Sequence, residues 1–482
     1  MRGRDKKRYY SSNSRAAANS LERSMNFKKI LLIQPMHEKN KKKKKERTSI
    51  SFPWGLATLA SFYQEAGYNV KILDGQAMQL SKEELLPEID KFDFDIVGIT
   101  SFSTQYPSVK LFAKYIKNNR NVPVIVGGPL ATYQAEMVLK TTNVDVCVIG
   151  EGEIAGIEIL KSWKNPAMVK SIAFRQNGKI VSTSSQDRFV DLDRLPLPDF
   201  SLFDMKKYIR HNNKFAGAIN TGIRAMTVIT SRGCPYRCNF CSKSCLSFRS
   251  MSPNKLYEMI VGLKTEFKLE EIYFGDELFL SSKSKFRELA PRLSALNIPW
   301  AGQARVNLVD KEFLELIKST NCVGMGYGIE SGSQKILNNM NKKITVKQIE
   351  SAMNYTQQLK IPIKVQLIFG YPGEDETTLQ ETIDLFRRID HPGRRFNVIT
   401  PIPGSKLYDD CLTRSLINNE PAYLTALEKS FGIGKVHVNF TKWPDNEIYS
   451  RKQAVEETIY KNYYYKNLTR KAKYYFIKLY SA

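Results

Sequence analysis

Short apolar runs alternate with amphipathic stretches along the first third of the chain. Five runs rich in β-branched residues have the length and composition of buried strands. They occupy residues 28–35, 69–75, 95–100, 123–128 and 145–150. Helical patterns fill the gaps, as where Leu56, Leu59 and Tyr63 recur on one face between Pro53 and Gly67. Strands that alternate with helices predict a doubly wound α/β domain with parallel strands.

A second series of six strand patterns begins at residue 226. Its members occupy residues 226–232, 270–277, 299–305, 324–331, 363–373 and 394–404. Helical patterns separate them, and one of these opens with a capping box of Thr345 and Gln348. Six consecutive βα units predict a barrel or partial (β/α)6 barrel with its chemistry at the carboxyl ends of the strands. Between the two series, one helical pattern and a polar, Ser-rich stretch predict a linker on the surface.

The positive charge of the 482-residue chain is concentrated at its ends. Residues 1–47 hold 16 basic and 4 acidic side chains and residues 451–482 hold 8 and 2, which leaves 49 against 42 between them. Residues 1–26 have almost nothing to bury and are predicted to be a disordered basic leader. No run of about 18 uncharged apolar residues predicts a membrane span, and the start of the chain lacks the apolar centre of a secretory signal.

Two basic segments have alternative interpretations. The lysine run at residues 41–45 is either a solvated insertion or a contact with an anionic partner. The basic carboxyl-terminal region either packs as a helix over the barrel or binds an anionic lipid surface, and stacking on single-stranded nucleic acid is a third use. Its aromatic residues are Tyr460, Tyr463, Tyr464, Tyr465, Tyr474, Tyr475, Phe476 and Tyr480.

Three cysteines follow the first strand of the second series at C-x3-C-x2-C spacing. Cys234, Cys238 and Cys241 lie on a loop with Gly233, and thiolates this close in sequence can point at one centre. A structural zinc ion would need a fourth ligand, which Cys245 could supply, whereas a four-iron, four-sulfur cluster with three thiolates keeps one iron open for a substrate or cofactor. The crowded cysteine spacing does not suit disulfides and indicates a reducing, cytoplasmic compartment.

This motif, at the end of the first of six βα units, resembles the radical S-adenosylmethionine superfamily. The resemblance implies that the three cysteines hold a 4Fe-4S cluster and that S-adenosylmethionine chelates the open iron. Phe240 matches the family position beside the adenine, and Gly275, Asp276 and Glu277 resemble the acidic motif that binds the methionyl ammonium. The contacts implied for S-adenosylmethionine are Phe240, Gly275, Asp276, Glu277, Arg305, Glu330, Ser331 and Gly370.

The strand ends of the first series are small, polar or glycine, which suits a cofactor pocket. A doubly wound domain directly ahead of such a barrel resembles the cobalamin-binding subclass of the superfamily, and the two resemblances cover about residues 28–405. No D-x-H-x-x-G occurs and His37 is the only histidine of the first series, so cobalamin without a lower axial histidine is implied. The contacts implied for cobalamin are Ser101, Ser103, Gly127, Gly128, Gly150 and Glu151.

The resemblance implies a cobalamin-dependent radical S-adenosylmethionine enzyme that methylates an unactivated carbon of a small-molecule or lipid substrate. The alternatives are a ring-forming, carbon–carbon bond-forming or rearrangement enzyme of the same subclass, an RNA- or protein-modifying enzyme, and a metal-stabilised nucleic-acid binder, although a nucleic-acid partner is not expected. A ferredoxin- or flavodoxin-type reductant is implied, in the cytoplasm or peripherally at the inner face of the membrane.

The expected order of domains follows from these patterns and from the resemblance. A Rossmann-like cobalamin-binding domain is followed by a TIM-type partial barrel and a helical carboxyl-terminal segment. The expected bounds are a leader at 1–26, a cobalamin-binding domain at 27–160, a linker at 161–220, a radical S-adenosylmethionine domain at 221–405 and a basic, aromatic helical region at 406–482.

Overall fold

The computed structural model describes most of the chain between residues 27 and 472. The described residues are 27–36, 50–185, 189–209, 223–243, 245, 247–393, 395–431 and 435–472. The predicted leader, His37, the lysine run and the last part of the aromatic tail lie outside them.

The first sheet has seven strands. They are β1 (Lys29–Gln34), β2 (Asn69–Asp74), β3 (Ile96–Thr100), β4 (Val124–Gly127), β5 (Val146–Val148), β6 (Ile172–Gln176) and β7 (Lys179–Ser182). Their order is β2-β1-β3-β4-β5-β6-β7, and the first five are parallel, as predicted. The strand order reverses between β1 and β3, and a reversal of this kind opens a crevice at the carboxyl edge of a doubly wound sheet.

Helices cover both faces of this sheet. They are α1 (Trp54–Glu65), α2 (Gly75–Met78), α3 (Leu86–Ile89), α4 (Tyr106–Asn119), α5 (Pro129–Thr141) and α6 (Gly152–Lys161). The predicted helix after Pro53 is confirmed, and Gly67 follows its end with a φ of +92°.

The stretch predicted as a linker begins with two strands that the apolar pattern did not predict. β6 and β7 form an antiparallel hairpin that extends the first sheet, and Ile172 and Phe174 of β6 are buried. Asn177 and Gly178 form its turn, both with positive φ, which is the geometry that Asn-Gly favours. The short helix α7 (Met205–Ile209) lies farther along, and the domain bounds themselves stay a prediction.

The second sheet has six strands in chain order. They are β8 (Ala225–Val228), β11 (Glu271–Phe274), β12 (Trp300–Ala304), β13 (Cys322–Glu330), β14 (Ile363–Phe369) and β15 (Asn397–Val398). Every neighbouring pair is parallel, which gives an open half-barrel and confirms the predicted partial (β/α)6 fold. Between β8 and β11, a small antiparallel pair carries the cysteine loop: β9 (Ser231–Arg232) and β10 (Arg249–Ser250).

Helices pack on the outer face of the half-barrel. They are α8 (Pro253–Phe267), α9 (Lys283–Leu296), α10 (Lys311–Ser319), α11 (Gln334–Asn339), α12 (Val346–Gln358) and α13 (Glu376–Arg388). Thr345 and Gln348 form the predicted capping box at the start of α12. The inner face stays open toward the carboxyl ends of the strands, where the predicted site residues lie.

The carboxyl-terminal region contacts both sheets. It contains α14 (Lys406–Thr413), α15 (Glu420–Ser430) and α16 (Ile448–Tyr464). Leu424 and Leu427 of α15 are buried in the core of the first domain, and Glu428 pairs there with Lys82 at 2.5 Å.

The last helix, α16, packs over the half-barrel. Val455 and Ile459 are buried in the core of the second sheet, and Lys466 and Arg470 pair with Asp390 at 2.7 and 2.9 Å. The described part of the basic tail therefore packs as a helix over the half-barrel, which is the first of its three interpretations. None of the described helices is both long and apolar enough to cross a membrane.

Candidate functional site

The cysteine loop starts at a position that only glycine can occupy. Gly233 follows β9 with a φ of +73°, and a Cβ there would lie 2.5 Å from the carbonyl oxygen of Ser247. Backbone hydrogen bonds then fix the loop from outside: the Asn239 amide donates to the Met340 carbonyl at 2.9 Å, and the Leu407 amide donates to the Asn239 carbonyl at 2.9 Å. The loop conformation is thus set by its neighbours.

Cys234, Cys238 and Cys241 are free thiols on this loop. Partial burial raises the pKa of Cys234 above its ordinary value, and the Glu277 carboxylate adds to that increase. Arg305 brings a positive charge to the loop, with Nη1 3.8 Å from the Cys238 sulfur and the guanidinium 3.6 Å from the centre of the Tyr236 ring.

Among the described residues, no three histidine, cysteine or carboxylate side chains converge on one ion-sized position. The fit of the loop to an iron-sulfur cluster rests on its donor chemistry, since three unpaired thiols on one short loop are the ligands that such clusters take. Cys245 lies beside Arg232 and Tyr133, and its charge raises the pKa of both groups. That only the other three cysteines hold the cluster stays a prediction.

Asp276 and Glu277 have different surroundings although they are adjacent. The Asp276 carboxylate is buried and accepts hydrogen bonds from the backbone and hydroxyl groups of Thr230 and Ser231, including 2.7 Å from the Thr230 amide and 2.7 Å from the Ser231 hydroxyl. Both its oxygens thus join the end of β11 to the strand that leads into the cysteine loop. Glu277 is exposed and acts electrostatically on Cys234 and Cys241.

Gly275 is required by packing. A Cβ at this position would lie 2.5 Å from the Thr227 methyl group on β8. Of the three residues of the acidic motif, Gly275 and Asp276 therefore have structural roles in this fold, and Glu277 is the one beside the thiols.

Lys342 joins three of the predicted residues, and the sequence motifs did not identify it. Its ammonium pairs with Glu330 at 2.7 Å inside the protein and lies 5.7 Å from the centre of the Phe240 ring. Its carbonyl accepts a hydrogen bond from Arg305. Its charge also lowers the pKa of Cys241, which desolvation of the thiol by the surrounding protein raises to about 12.

Glu330, the partner of Lys342, has a strained backbone conformation. It has a φ of +66° at a bulge of β13, and a Cβ on Gly328 would lie 2.6 Å from its carboxylate. The bulge turns the Glu330 side chain to the inner face, beside Lys342.

Polar groups beyond β13 leave one buried hydroxyl unsatisfied. Ser331 Oγ accepts from the Ser333 amide at 3.1 Å and lies 3.4 Å from Thr382 Oγ1. Ser333 Oγ is buried without a hydrogen-bond partner among the described residues. Buried hydroxyls are usually paired, so this one suits a polar ligand at the end of the strand.

Gly370 begins a tight turn after β14. It has a φ of +81°, and its amide donates to the Glu374 carboxylate at 2.5 Å. Burial raises the pKa of Glu374 to about 8. The same turn brings Tyr371 edge-on to Phe240, with ring centres 6.3 Å apart, so an aromatic wall stands beside the cysteine loop.

The carboxyl edge of the first sheet gathers four predicted residues. Gly128 has a φ of +86°, and a Cβ there would lie 2.8 Å from the Ser101 carbonyl oxygen. Ser101 Oγ donates to the Gly127 carbonyl at 3.2 Å. Ser103 Oγ is buried and unpaired within the described residues, and the space in front of Gly127 is open to 4 Å. An open space with an unsatisfied hydroxyl fits a ligand with polar groups.

Glu151 points away from this edge toward the second domain. It pairs with Arg232 at 2.8 Å and with Arg249, while Glu153 pairs with Arg232 at 2.6 Å. The two carboxylates expose only 8% and 4% of their side chains. We call these four residues the interdomain ion cluster. Arg232 directly precedes Gly233, so the cluster links the carboxyl end of β5 to the cysteine loop.

A hydrogen bond within the first domain and the contacts of Tyr133 with the second domain lie at the same place. Gly150 has a φ of +85° and donates to Thr132 Oγ1 at 3.0 Å, which fixes the chain as it leaves β5. The Tyr133 hydroxyl donates to the Lys243 carbonyl at 3.0 Å, and a Cβ on Gly404 would lie 2.5 Å from the Tyr133 ring. The two predicted cofactor edges thus face each other across a tightly packed boundary.

Residues 45–160 match the B12 binding domain family, and residues 228–386 match the Radical SAM superfamily. An uncharacterized methyltransferase of Pyrococcus horikoshii is 32% identical over 404 residues, which cover 82% of this chain and 85% of the relative. The anaerobic magnesium-protoporphyrin IX monomethyl ester cyclase of Cereibacter sphaeroides is 27% identical over 378 residues, which cover 74% of this chain and 60% of the cyclase.

The fold is also similar to a solved structure. The radical S-adenosylmethionine methyltransferase TsrM of Kitasatospora setae, with cobalamin and a [4Fe-4S] cluster bound, aligns with a TM-score of 0.65 and 15% identity. The alignment covers 80% of this chain and 78% of TsrM.

Proposed function

The chain belongs to the cobalamin-binding branch of the radical S-adenosylmethionine superfamily, and from this membership we propose that it methylates an unactivated carbon of a small-molecule or lipid substrate. The observation that carries the proposal is the interdomain ion cluster. It holds the edge of a B12-type domain against a loop of three free thiols, so two cofactors bound there would serve one substrate between them.

In this proposal Cys234, Cys238 and Cys241 hold a 4Fe-4S cluster. The Glu277 carboxylate binds the ammonium group of S-adenosylmethionine, since a carboxylate and a primary ammonium form a strong charge-assisted pair. Phe240 and Tyr371 supply the apolar wall for its adenine. The other predicted residues support these contacts through their neighbours. Lys342 connects Arg305 with Glu330. Ser331 is bonded to Ser333, and Gly370 is bonded to Glu374.

Ser101, Ser103, Gly127 and Gly128 form the cobalamin edge in the same proposal. The open space at Gly127 and the unpaired hydroxyl of Ser103 support it. When bound, the iron-sulfur cluster with S-adenosylmethionine supplies radical chemistry and cobalamin supplies the methyl group, while the protein binds, orients and shields them. Glu151 acts by holding this edge against the second domain, and Gly150 acts by fixing the chain that leaves β5.

A ferredoxin- or flavodoxin-type carrier supplies the electrons, and the reaction takes place in the cytoplasm. The basic tail offers a peripheral contact with the inner face of the membrane.

A second candidate reaction is ring formation without methyl transfer. The identity with the anaerobic cyclase of Cereibacter sphaeroides favours it, because that relative matches 74% of this chain. The fold is compatible with both reactions, since fold alone does not fix chemistry.

An isotope experiment separates the two reactions. The full-length protein is reconstituted without oxygen and incubated with cell extract and S-adenosylmethionine that carries a deuterated methyl group. A methyltransferase gives a deuterated product, whereas a cyclase gives an undeuterated product and still releases 5′-deoxyadenosine. A protein with full cluster and cobalamin that cleaved no S-adenosylmethionine would contradict both.

A further inference from the structure

Two segments of the second domain lie side by side at the cysteine loop. One is residues 235–243 of the loop, and the other is residues 339–347, from the last residue of α11 to the start of α12. Three hydrogen bonds join them: the Asn239 amide to the Met340 carbonyl at 2.9 Å, Asn239 Nδ2 to the Asn339 carbonyl at 2.9 Å, and Asn341 Nδ2 to the Arg237 carbonyl at 2.7 Å. We call the surface of these two segments the basic surface.

Its charge is of one sign only. The two segments contain five basic residues and no acidic residue. Arg237 and Lys343 are exposed, and neither has a carboxylate partner within the described part of the chain. These two cations are held on segments that three hydrogen bonds tie together.

Two carboxylates on neighbouring segments are already paired with other lysines. Asp375 pairs with Lys335 at 3.1 Å, and Asp410 pairs with Lys406 at 2.9 Å. Arg237 and Lys343 therefore keep their charge available to a partner from solution.

The basic surface is also the outer wall of the thiol site. Arg237 and Asn239, which make the joining hydrogen bonds, flank Cys238 in the chain. On the inner side of the second segment, Lys342 is buried against Glu330 and acts on Cys241. A partner seated on this surface would lie on the loop that carries the thiols.

We propose that the basic surface docks the acidic one-electron carrier protein that reduces the cluster. This inference rests on the proposed function, since it assumes a cluster on the three thiols. In the docked complex one electron leaves the reduced carrier and enters the oxidised cluster, with no bond made or broken and no proton transferred. A cluster of unpaired cations attracts an acidic protein over a long distance and thereby accelerates its association.

The test compares a protein reductant with small reductants on the reconstituted full-length protein. The rate of bleaching of the cluster absorption is followed by stopped flow with a reduced flavodoxin of strongly negative charge, and then with dithionite and with reduced methyl viologen, which have opposite charges. Lys343→Glu should slow reduction by flavodoxin about tenfold at low salt, and Arg237→Gln about threefold. Reduction of both variants by the two small molecules should stay within about twofold of the wild type, because these molecules need no docking surface.

Lys71→Glu is the matched control. Lys71 is exposed on β2 at the edge of the first sheet, and its substitution changes the net charge by the same amount. Its rate with flavodoxin should equal that of the wild type. Raising the salt concentration should slow the wild type toward the rate of Lys343→Glu, since exposed charges are screened.

Each other result has a definite meaning. Equal rates of flavodoxin reduction in wild type, Lys343→Glu and Arg237→Gln would overturn the docking surface, as would an equal effect of Lys71→Glu. If Arg237→Gln also slowed the small reductants, its loop would be perturbed and Lys343→Glu alone would decide. A wild-type protein that bound no reducible cluster would contradict the proposed function and not the docking surface. An oligonucleotide that bound the wild type but not Lys343→Glu, with unchanged flavodoxin rates, would assign the surface to a nucleic acid instead.

Discussion

The cysteine loop and the carboxyl edge of the first sheet use glycine and hydrogen bonds in different ways. The loop is held from outside, by backbone bonds from the segment around Met340 and from the start of α14. The edge is held mostly by its own strand ends, where Gly128 packs on Ser101, and it keeps an unsatisfied hydroxyl at Ser103. The conformation of a loop that must bind a reactive inorganic group is thus fixed in advance by the protein. The edge instead keeps a hydroxyl without a hydrogen-bond partner, which its ligand can supply.

The two regions meet at the interdomain ion cluster. Arg232 belongs to the strand that leads into the loop, and Glu151 and Glu153 belong to the segment that leaves β5. Any displacement of one region is thus transmitted to the other through buried charges.

The largest expected effect comes from removing a thiol of the cysteine loop. Cys238→Ser should remove the 4Fe-4S cluster and abolish cleavage of S-adenosylmethionine, because a cluster with two thiolates loses the ligands that hold it. Iron and sulfide content, with the electron paramagnetic resonance signal of the reduced protein, measure the loss. Cys245→Ser is the control and should keep a full cluster. A variant at Cys245 without iron would make that residue a ligand.

Breaking the junction should have the next largest effect. Glu153→Gln leaves the largely buried Arg232 with less compensating charge, so the free energy of unfolding should fall by about 3 kcal/mol. Chemical denaturation of the apoprotein measures it. The control is Glu312→Gln, at an exposed pair with Arg287, which should cost less than about 0.5 kcal/mol. Equal effects of the two substitutions would show that the ion cluster does not hold the domains together.

Glu374, in the turn beside the cysteine loop, should make the stability of that side of the comparison depend on pH. Its pKa is about 8 in the folded protein and lies near its ordinary value of 4.5 in the unfolded chain, so the folded state holds the proton more tightly. Its contribution to stability is therefore complete below about pH 4.5 and is lost as the pH rises toward 8. Glu374→Gln should remove this loss, which is on the order of 3 kcal/mol by pH 7. Stability curves of the two proteins that run parallel from pH 5 to 9 would contradict the assignment.

The smallest expected effect is at the edge of the first sheet. Ser103→Ala removes a buried hydroxyl that has no partner, so the apoprotein should unfold at the same or a slightly higher denaturant concentration. Cobalamin should bind about fivefold more weakly, since one hydrogen bond is worth about 1 kcal/mol. Equilibrium dialysis with hydroxocobalamin measures the affinity. Ser101→Ala, which removes a bond to the Gly127 carbonyl, should instead lower the stability of the apoprotein.

Hydrophobic periodicity and the positions of glycine and proline were enough to predict the five parallel strands of the first sheet, the six strands of the second sheet and the helices between them. The β6–β7 hairpin was missed because its buried run is short, although Asn177-Gly178 carried the signal for its turn. The sequence could not show which of Asp276 and Glu277 lies beside the thiols. Adjacent residues point to opposite sides, and only the fold shows which side faces the thiols.

Residues that act through tertiary contacts had no signal in the sequence. Lys342 reaches Glu330 and Phe240 because a turn between two helices returns it to the half-barrel. Glu151 was assigned to cobalamin from its position after β5, whereas the partner that fixes its carboxylate, Arg232, lies 81 residues away. Contacts at such separation depend on how the two domains pack and not on any local pattern.

The packing of α15 has a consequence for the synthesis of the protein. Leu424 and Leu427 complete the core of the first domain, so this domain is not continuous in sequence. A ribosome adds about 5–20 residues per second, so the roughly 270 residues between α6 and the end of α15 take about 15–50 s to make. During that time the nascent first domain exposes the apolar surface that α15 will cover. Its final consolidation, and with it firm retention of a cobalamin captured early, must wait until nearly the whole chain has been translated.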